Sequence, residues 1–169
     1  NGKRTDHVDK GILSYAAFEE MKNAEGMEEA GAFFDRMLAD REEVMQLLPS
    51  IGEAGNSYEY IDDIRIDKES LDNFLRQHLI TYNRFFASVF AYTLSRYCGS
   101  EKVLFNMITD GRGRIDLSGS VGMFVKTLPV LADCADRSTD DFLAYISDLI
   151  GDVARYDMYP FRLLAGKYD

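Results

Sequence analysis

Val121-Gly122-Met123-Phe124-Val125-Lys126-Thr127-Leu128-Pro129 is the stretch on which the fold turns. Together with Val130 and Leu131 it forms a largely apolar run, which predicts a strand over Val121–Leu131. Just upstream, Asp110-Gly111-Arg112-Gly113-Arg114 carries a turn signal. Before that turn, Val103–Thr109 is a second apolar run of strand length and reads as a buried central strand. So short a glycine-rich link makes the two runs neighbours in one sheet. Further upstream, Tyr82, Phe85, Phe86, Val89, Phe90, Thr93, Leu94 and Tyr97 recur at helical spacing. They predict a helix packed across that sheet through its aromatic stripe. Thr81 stands at its N-cap position and Gly99 where a left-handed C-cap would end it.

The rest of the chain continues the alternation. Leu13, Tyr15, Ala16 and Phe18 predict a short first helix, and Met27–Leu38 a second with one apolar face. Residues 50–57, with Gly52, Gly55 and Asn56, read as a loop, and Tyr58–Ile66 as a half-buried strand. Leu71, Phe74, Leu75, His78 and Leu79 line a further helix. Ser138, ahead of Thr139-Asp140-Asp141, caps a last helix whose stripe is Phe142, Leu143, Ile146, Leu149, Ile150 and Val153. Strands alternating with helices give an α/β layer architecture.

Composition excludes several classes of function. A chain of 169 residues builds one domain with a core. A formal net charge of -10 argues against nucleic acid, which requires a basic face. No apolar run approaches the length of a membrane span, and no apolar signal segment follows Asn1. Cys98 and Cys134 are far apart and show no metal-type spacing, so they read as reduced thiols of a cytoplasmic protein.

Chemistry-bearing residues are sparse. The histidines are His7, in a charged stretch, and His78, on the apolar side of a predicted helix. His78 reads first as a partly buried residue with a satisfied hydrogen bond and second as a general base. No His/Cys/Asp/Glu cluster has metal-ligand spacing. Asp62-Asp63 fits a strand edge and Asp140-Asp141 a helix N-terminus. Gly111-Arg112-Gly113-Arg114 lacks both the Lys-Ser/Thr of a phosphate loop and a full dinucleotide fingerprint. Arg112, set between glycines past a buried run, is expected to pair with a carboxylate or backbone carbonyls. Phe85, Phe86 and Phe90 are expected in the core.

Several segments, in order, resemble the condensation domains of nonribosomal peptide synthetases. Ser14–Phe18 is similar to the family's Tyr-Ala-x-Trp motif, with Tyr15 in place and Phe18 in the aromatic slot. Phe33-Phe34-Asp35-Arg36-Met37-Leu38 resembles the Tyr-Trp…Leu helix that follows it. Thr81 through Ser95-Arg96-Tyr97-Cys98-Gly99 resembles a Thr…Ser-Arg-Tyr-Ser-Gly helix, and Gly111-Arg112 stands where the family has Gly-Arg. Gly122, Phe124, Val125 and Thr127 match Val-Gly-x-Phe-Val-Asn-Thr-Leu-Pro, with Lys126 for the usual Asn. Pro160 and Phe161 close a match to Gln-Asp-x-Pro-Phe. Met123 and Val125 separate the chain from epimerisation domains, whose motif reads Gly-Trp-Phe-Thr.

The resemblance implies one lobe of a chloramphenicol-acetyltransferase-like two-lobed fold, a mixed sheet packed with helices. The family's His-His-x-x-x-Asp-Gly is absent, and His7-Val8-Asp9-Lys10-Gly11 has the wrong spacing for it. Residues 1–169 therefore resemble the C-terminal lobe of a domain more than twice as long, without the N-terminal catalytic lobe and the last strands, and with no catalytic residue of their own. The complete domain would join an acyl group, carried as a thioester on phosphopantetheine, to an acceptor amine. Carrier-protein domains and the N-terminal lobe would be its partners, and neither metal nor bound cofactor is implied for this lobe. Apolar surface left open would favour self-association. A related stand-alone acyltransferase and a non-catalytic carrier-binding module are the rival readings.

Overall fold

The computed structural model describes residues 26–44, 65–111 and 123–168. In chain order they form α1 (Met27–Met37), a 3-10 turn (Arg41–Glu43), α2 (Lys68–Gln77), α3 (Tyr82–Cys98), β1 (Lys102–Thr109), β2 (Lys126–Asp133), α4 (Thr139–Arg155) and α5 (Phe161–Tyr168). The expected first helix, the 50–57 loop, the Tyr58–Ile66 strand apart from its last residues, and the acidic pair at 62–63 lie outside the described residues. So do His7, Tyr15, Phe18, Arg112 and Gly122. Residues 65 and 66 are irregular.

The described residues divide into two compact units. One takes 26–40, 105–111, 123–131 and 151–168; the other takes 41–44, 65–104 and 132–150. In the first, Ala30, Phe34, Leu38, Phe124, Leu128, Val130, Leu131, Val153 and Leu164 are buried. In the second, Leu75, Ile80 and Leu143 form a core with Leu71, Phe74 and Phe85 packed against it.

β1 and β2 pair as a two-stranded sheet. The Cys134 N–H, just past β2, donates to the carbonyl of Glu101, just before β1, so the strands run antiparallel. The pairing is as expected, but β2 begins five residues later than the Val121 start expected from its apolar run. The burial of β1 departs from the expectation of a buried central strand. β2 is the buried strand, from Leu128 through Ala132, whereas β1 alternates, with Val103 buried and Leu104 and Ile108 exposed. An apolar run has no period, so it cannot distinguish one buried face from two.

The caps follow local chemistry. Thr81 Oγ1 accepts from the Arg84 N–H, and Gly99 ends α3 in the left-handed region at φ 64°. Ser138 Oγ accepts from the Asp141 N–H at the start of α4. The same type of C-terminal closure ends α2. There the Ile80 N–H reaches the Leu75 carbonyl, the Leu79 N–H reaches the Arg76 carbonyl, and Leu79 takes the left-handed position at φ 52°.

α3 is oriented opposite to the sequence expectation. Its buried residues are Ser88, Ala91 and Ser95. Tyr82, Phe86, Val89, Phe90, Tyr92 and Tyr97 are exposed large side chains, so of the aromatics expected in the core only Phe85 packs there. Small residues let the helix approach its neighbours closely. Cys134 Sγ, at the end of β2, lies 3.7 Å from the Ala91 carbonyl. Ser95 Oγ donates to the Ser100 carbonyl at 2.6 Å, and Ser100 Oγ to the Lys102 carbonyl at 2.8 Å, which fastens the helix to the start of β1. α5, which follows Pro160, has no counterpart in the expected elements.

Candidate functional site

Three of the motif segments meet within the first unit. At the start of β2 the side chains alternate: Met123 and Val125 are exposed and Phe124 is buried. Gly111 sits against Phe124. It has φ 65°, and a Cβ at that position would overlap the Phe124 carbonyl oxygen, so glycine is required there on both counts.

Lys126, the departure from the family's asparagine, sends its Nζ to the backbone carbonyl of Asp157 at 2.8 Å. Asp157 is buried, in the turn that follows α4. Internal hydrogen bonds build that turn: the Asp157 N–H donates to the Ala154 carbonyl and the Tyr159 N–H to the Tyr156 carbonyl. The opposite side of the turn grips α1. The Tyr156 ring lies 4.8 Å from that of Phe33, and the Tyr159 ring 5.5 Å from that of Phe34. The Tyr156 hydroxyl donates to Glu29 Oε1 at 2.6 Å, and that bond to a carboxylate raises the phenol's pKa above the usual tyrosine range. Gly31 leaves room for the Tyr159 ring, since a Cβ there would sit 3.3 Å from the ring edge.

Between β2 and this turn lies an open cleft of about 380 Å³, lined by Val125, Lys126, Thr127, Leu128, Met158, Tyr159 and Pro160. The structure thus brings together Gly111, Phe124, Val125, Lys126, Thr127 and Pro160. Phe161 begins α5. The sequence reading missed Asp157 as the acceptor for Lys126 and Tyr156 and Tyr159 as anchors on α1. The aromatic pair flanking the turn was the available signal.

α5 is also fastened to α1. Lys167 Nζ lies 2.6 Å from both carboxylate oxygens of Asp35, and the Tyr168 hydroxyl donates to the same group. The Lys167 bond, then the Tyr168 bond, holds the Asp35 pKa below the ordinary aspartate range.

His78 belongs to the second unit. It forms the C-cap of α2, its ring lies 4.2 Å from that of Phe74, and its Nδ1 is 3.4 Å from Asp140 Oδ1. It is partly buried and has a carboxylate neighbour, which fits its structural reading. Cys98 and Cys134 are free thiols, and burial raises the Cys134 pKa. Among the described residues no group of three or more His, Cys, Asp or Glu could hold a metal ion. No helix among them is long and apolar enough to cross a membrane. What the cleft offers is shape, a hydroxyl and an engaged cation, which suits binding and orientation.

A family model described as the Condensation domain matches residues 2–169, and the chain belongs to that family. Among curated relatives, it is 26% identical over 156 residues to surfactin synthase subunit 1 of Bacillus subtilis (strain 168), covering 89% of this chain and 4% of that protein. It is 30% identical over 105 residues to a linear gramicidin synthase of Brevibacillus parabrevis, covering 60% of this chain and 2% of that protein. The chain thus spans a small part of the length of these relatives. Its fold superposes on the condensation domain of the Monacolin K polyketide synthase MokA with a TM-score of 0.75 at 18% identity, over 99% of this chain and 41% of that chain. It superposes on the first condensation domain of the calcium-dependent antibiotic synthetase with a TM-score of 0.70 at 16% identity, over 94% and 38%. The expected fold class, a lobe of the chloramphenicol-acetyltransferase-like architecture, therefore holds.

Proposed function

We propose that this chain is the C-terminal lobe of a peptide-synthetase condensation domain. In the complete domain an acceptor amine attacks the carbonyl of an acyl or peptidyl thioester. The new C–N bond replaces the C–S bond, and the amine's proton leaves with the released thiol. The thioester is carried on the phosphopantetheine arm of a carrier-protein domain, so this lobe binds neither cofactor nor metal of its own. The acid–base group comes from the N-terminal lobe, which together with carrier domains is the partner set. A cytoplasmic setting, with Cys98 and Cys134 reduced and a product of secondary metabolism, belongs to the same reading.

The observation that carries the proposal is the convergence of three motif segments in one unit: Phe33-Phe34 on α1, Phe124–Leu128 at β2, and the 156–160 turn. General acid–base help contributes about 10²–10⁴-fold and requires a group within hydrogen-bond reach of the reacting amine. No motif histidine is present to supply it. The test pairs the complete domain with carrier-loaded donor and acceptor and detects product by mass spectrometry. Amide product from the complete domain, with none above background from this chain alone, is the expected result. Product from this chain alone would overturn the assignment of catalysis to the other lobe.

A further inference from the structure

We propose that Lys126 is a positioning residue: its ammonium holds the 156–160 turn against β2 and thereby sets the width of the cleft they share. This rests on the condensation-domain reading for its link to substrate. The tether itself rests on geometry. Lys126 Nζ lies 2.8 Å from the Asp157 carbonyl, a buried acceptor just past the C-terminal end of α4. A cation there stands just past the last turn of α4, where it complements the negative end of the helix dipole.

The turn is thus held from two sides, by the Phe33 and Phe34 rings of α1 and by the Lys126 ammonium of β2. Of these two holds, the second crosses the cleft. The long, flexible four-carbon lysine stem allows it. The remaining walls are chiefly apolar: Val125, Leu128, Met158 and Pro160, with the Tyr159 ring. The occupant that matches these apolar walls is an uncharged acyl or aminoacyl group of one carrier-bound substrate.

Two variants separate the tether from general stability. Lys126→Met keeps the length and removes the donor, and Lys126→Arg restores a donor. In the complete domain, Lys126→Met is expected to raise KM for one apolar carrier-bound substrate about fivefold or more with kcat within about twofold, and Lys126→Arg to recover most of it. Unchanged KM, a loss confined to kcat, or failure of Lys126→Arg equal to that of Lys126→Met would each overturn the role. If the wild-type complete domain makes no amide, it is the functional reading that fails. Amide hydrogen exchange on this chain then decides the tether. Exchange at Asp157 and Tyr159 about tenfold faster in Lys126→Met, and near wild type in Lys126→Arg, supports it; equal exchange in all three overturns it.

Discussion

Gly111 and Phe124 approach so closely that a β-carbon at position 111 would overlap the Phe124 carbonyl oxygen. Backbone against backbone offers no flexible end that could move aside. Gly111→Ala therefore combines a left-handed residue at φ 65° with a steric overlap. Together these are expected to cost about 2–4 kcal/mol. Urea unfolding of the two proteins checks this, and an unchanged midpoint would show that the β2 approach is looser than described.

The inverted face of α3 gives a paired test. Ala91 is fully buried, so Ala91→Leu overpacks the helix contact and is expected to destabilise by about 1–3 kcal/mol. Tyr97 is 81% exposed, so Tyr97→Ser should change stability by no more than about 0.5 kcal/mol. Had the aromatic stripe faced the core, the two variants would rank in the opposite order.

That inversion shows where the sequence stops being informative. Periodicity groups Tyr82, Phe86, Val89 and Tyr97 on one side of a helix, but it does not say which side the neighbours occupy. Ser88, Ala91 and Ser95 win burial because their small size lets backbone approach backbone. The caps at Thr81, Gly99 and Ser138 are legible because each depends on chemistry within a few residues of itself. The Gly111 requirement is legible only as a family motif. The Lys126–Asp157 bond joins positions 31 residues apart and leaves no local trace. α5 is masked in sequence because Pro160-Phe161 reads as the end of a motif rather than as a helix start.

Asp35 makes stability depend on pH. Its bonds to Lys167 and Tyr168 favour the charged form and lower its pKa in the folded state relative to the unfolded chain. Its contribution is then fully present above the unfolded value, about pH 4, and is lost as pH falls through the lower folded value. Lys167 is raised in turn, chiefly by the Asp35 bond, so its share is lost only as pH rises through its elevated pKa. Lys167→Met should bring the Asp35 titration, followed by carboxyl NMR shifts, back toward the ordinary range. An unmoved titration would show that the pair does not persist in solution.

Association is the expected solution behaviour. Met123 is 91% exposed, and Ile108 and Val125 are exposed with it in the unit built on α1. Light scattering over a concentration series should show a mass that rises above the monomer, and Ile108→Lys with Val125→Lys should reduce the rise. A constant monomer mass at the highest concentration would overturn the expectation.

α2 and α3 each close with an N–H that reaches back five residues, Ile80 to the Leu75 carbonyl and Ser100 to the Ser95 carbonyl, yet α3 places Gly99 at the left-handed position and α2 places Leu79 there. Leu79 is also almost wholly exposed. Its side chain thus contributes little packing to offset the backbone conformation it must hold. The position is a handle for the protein engineer. Leu79→Gly or Leu79→Asn would relieve the strain, by up to about 1 kcal/mol, and would improve solubility without touching the cleft.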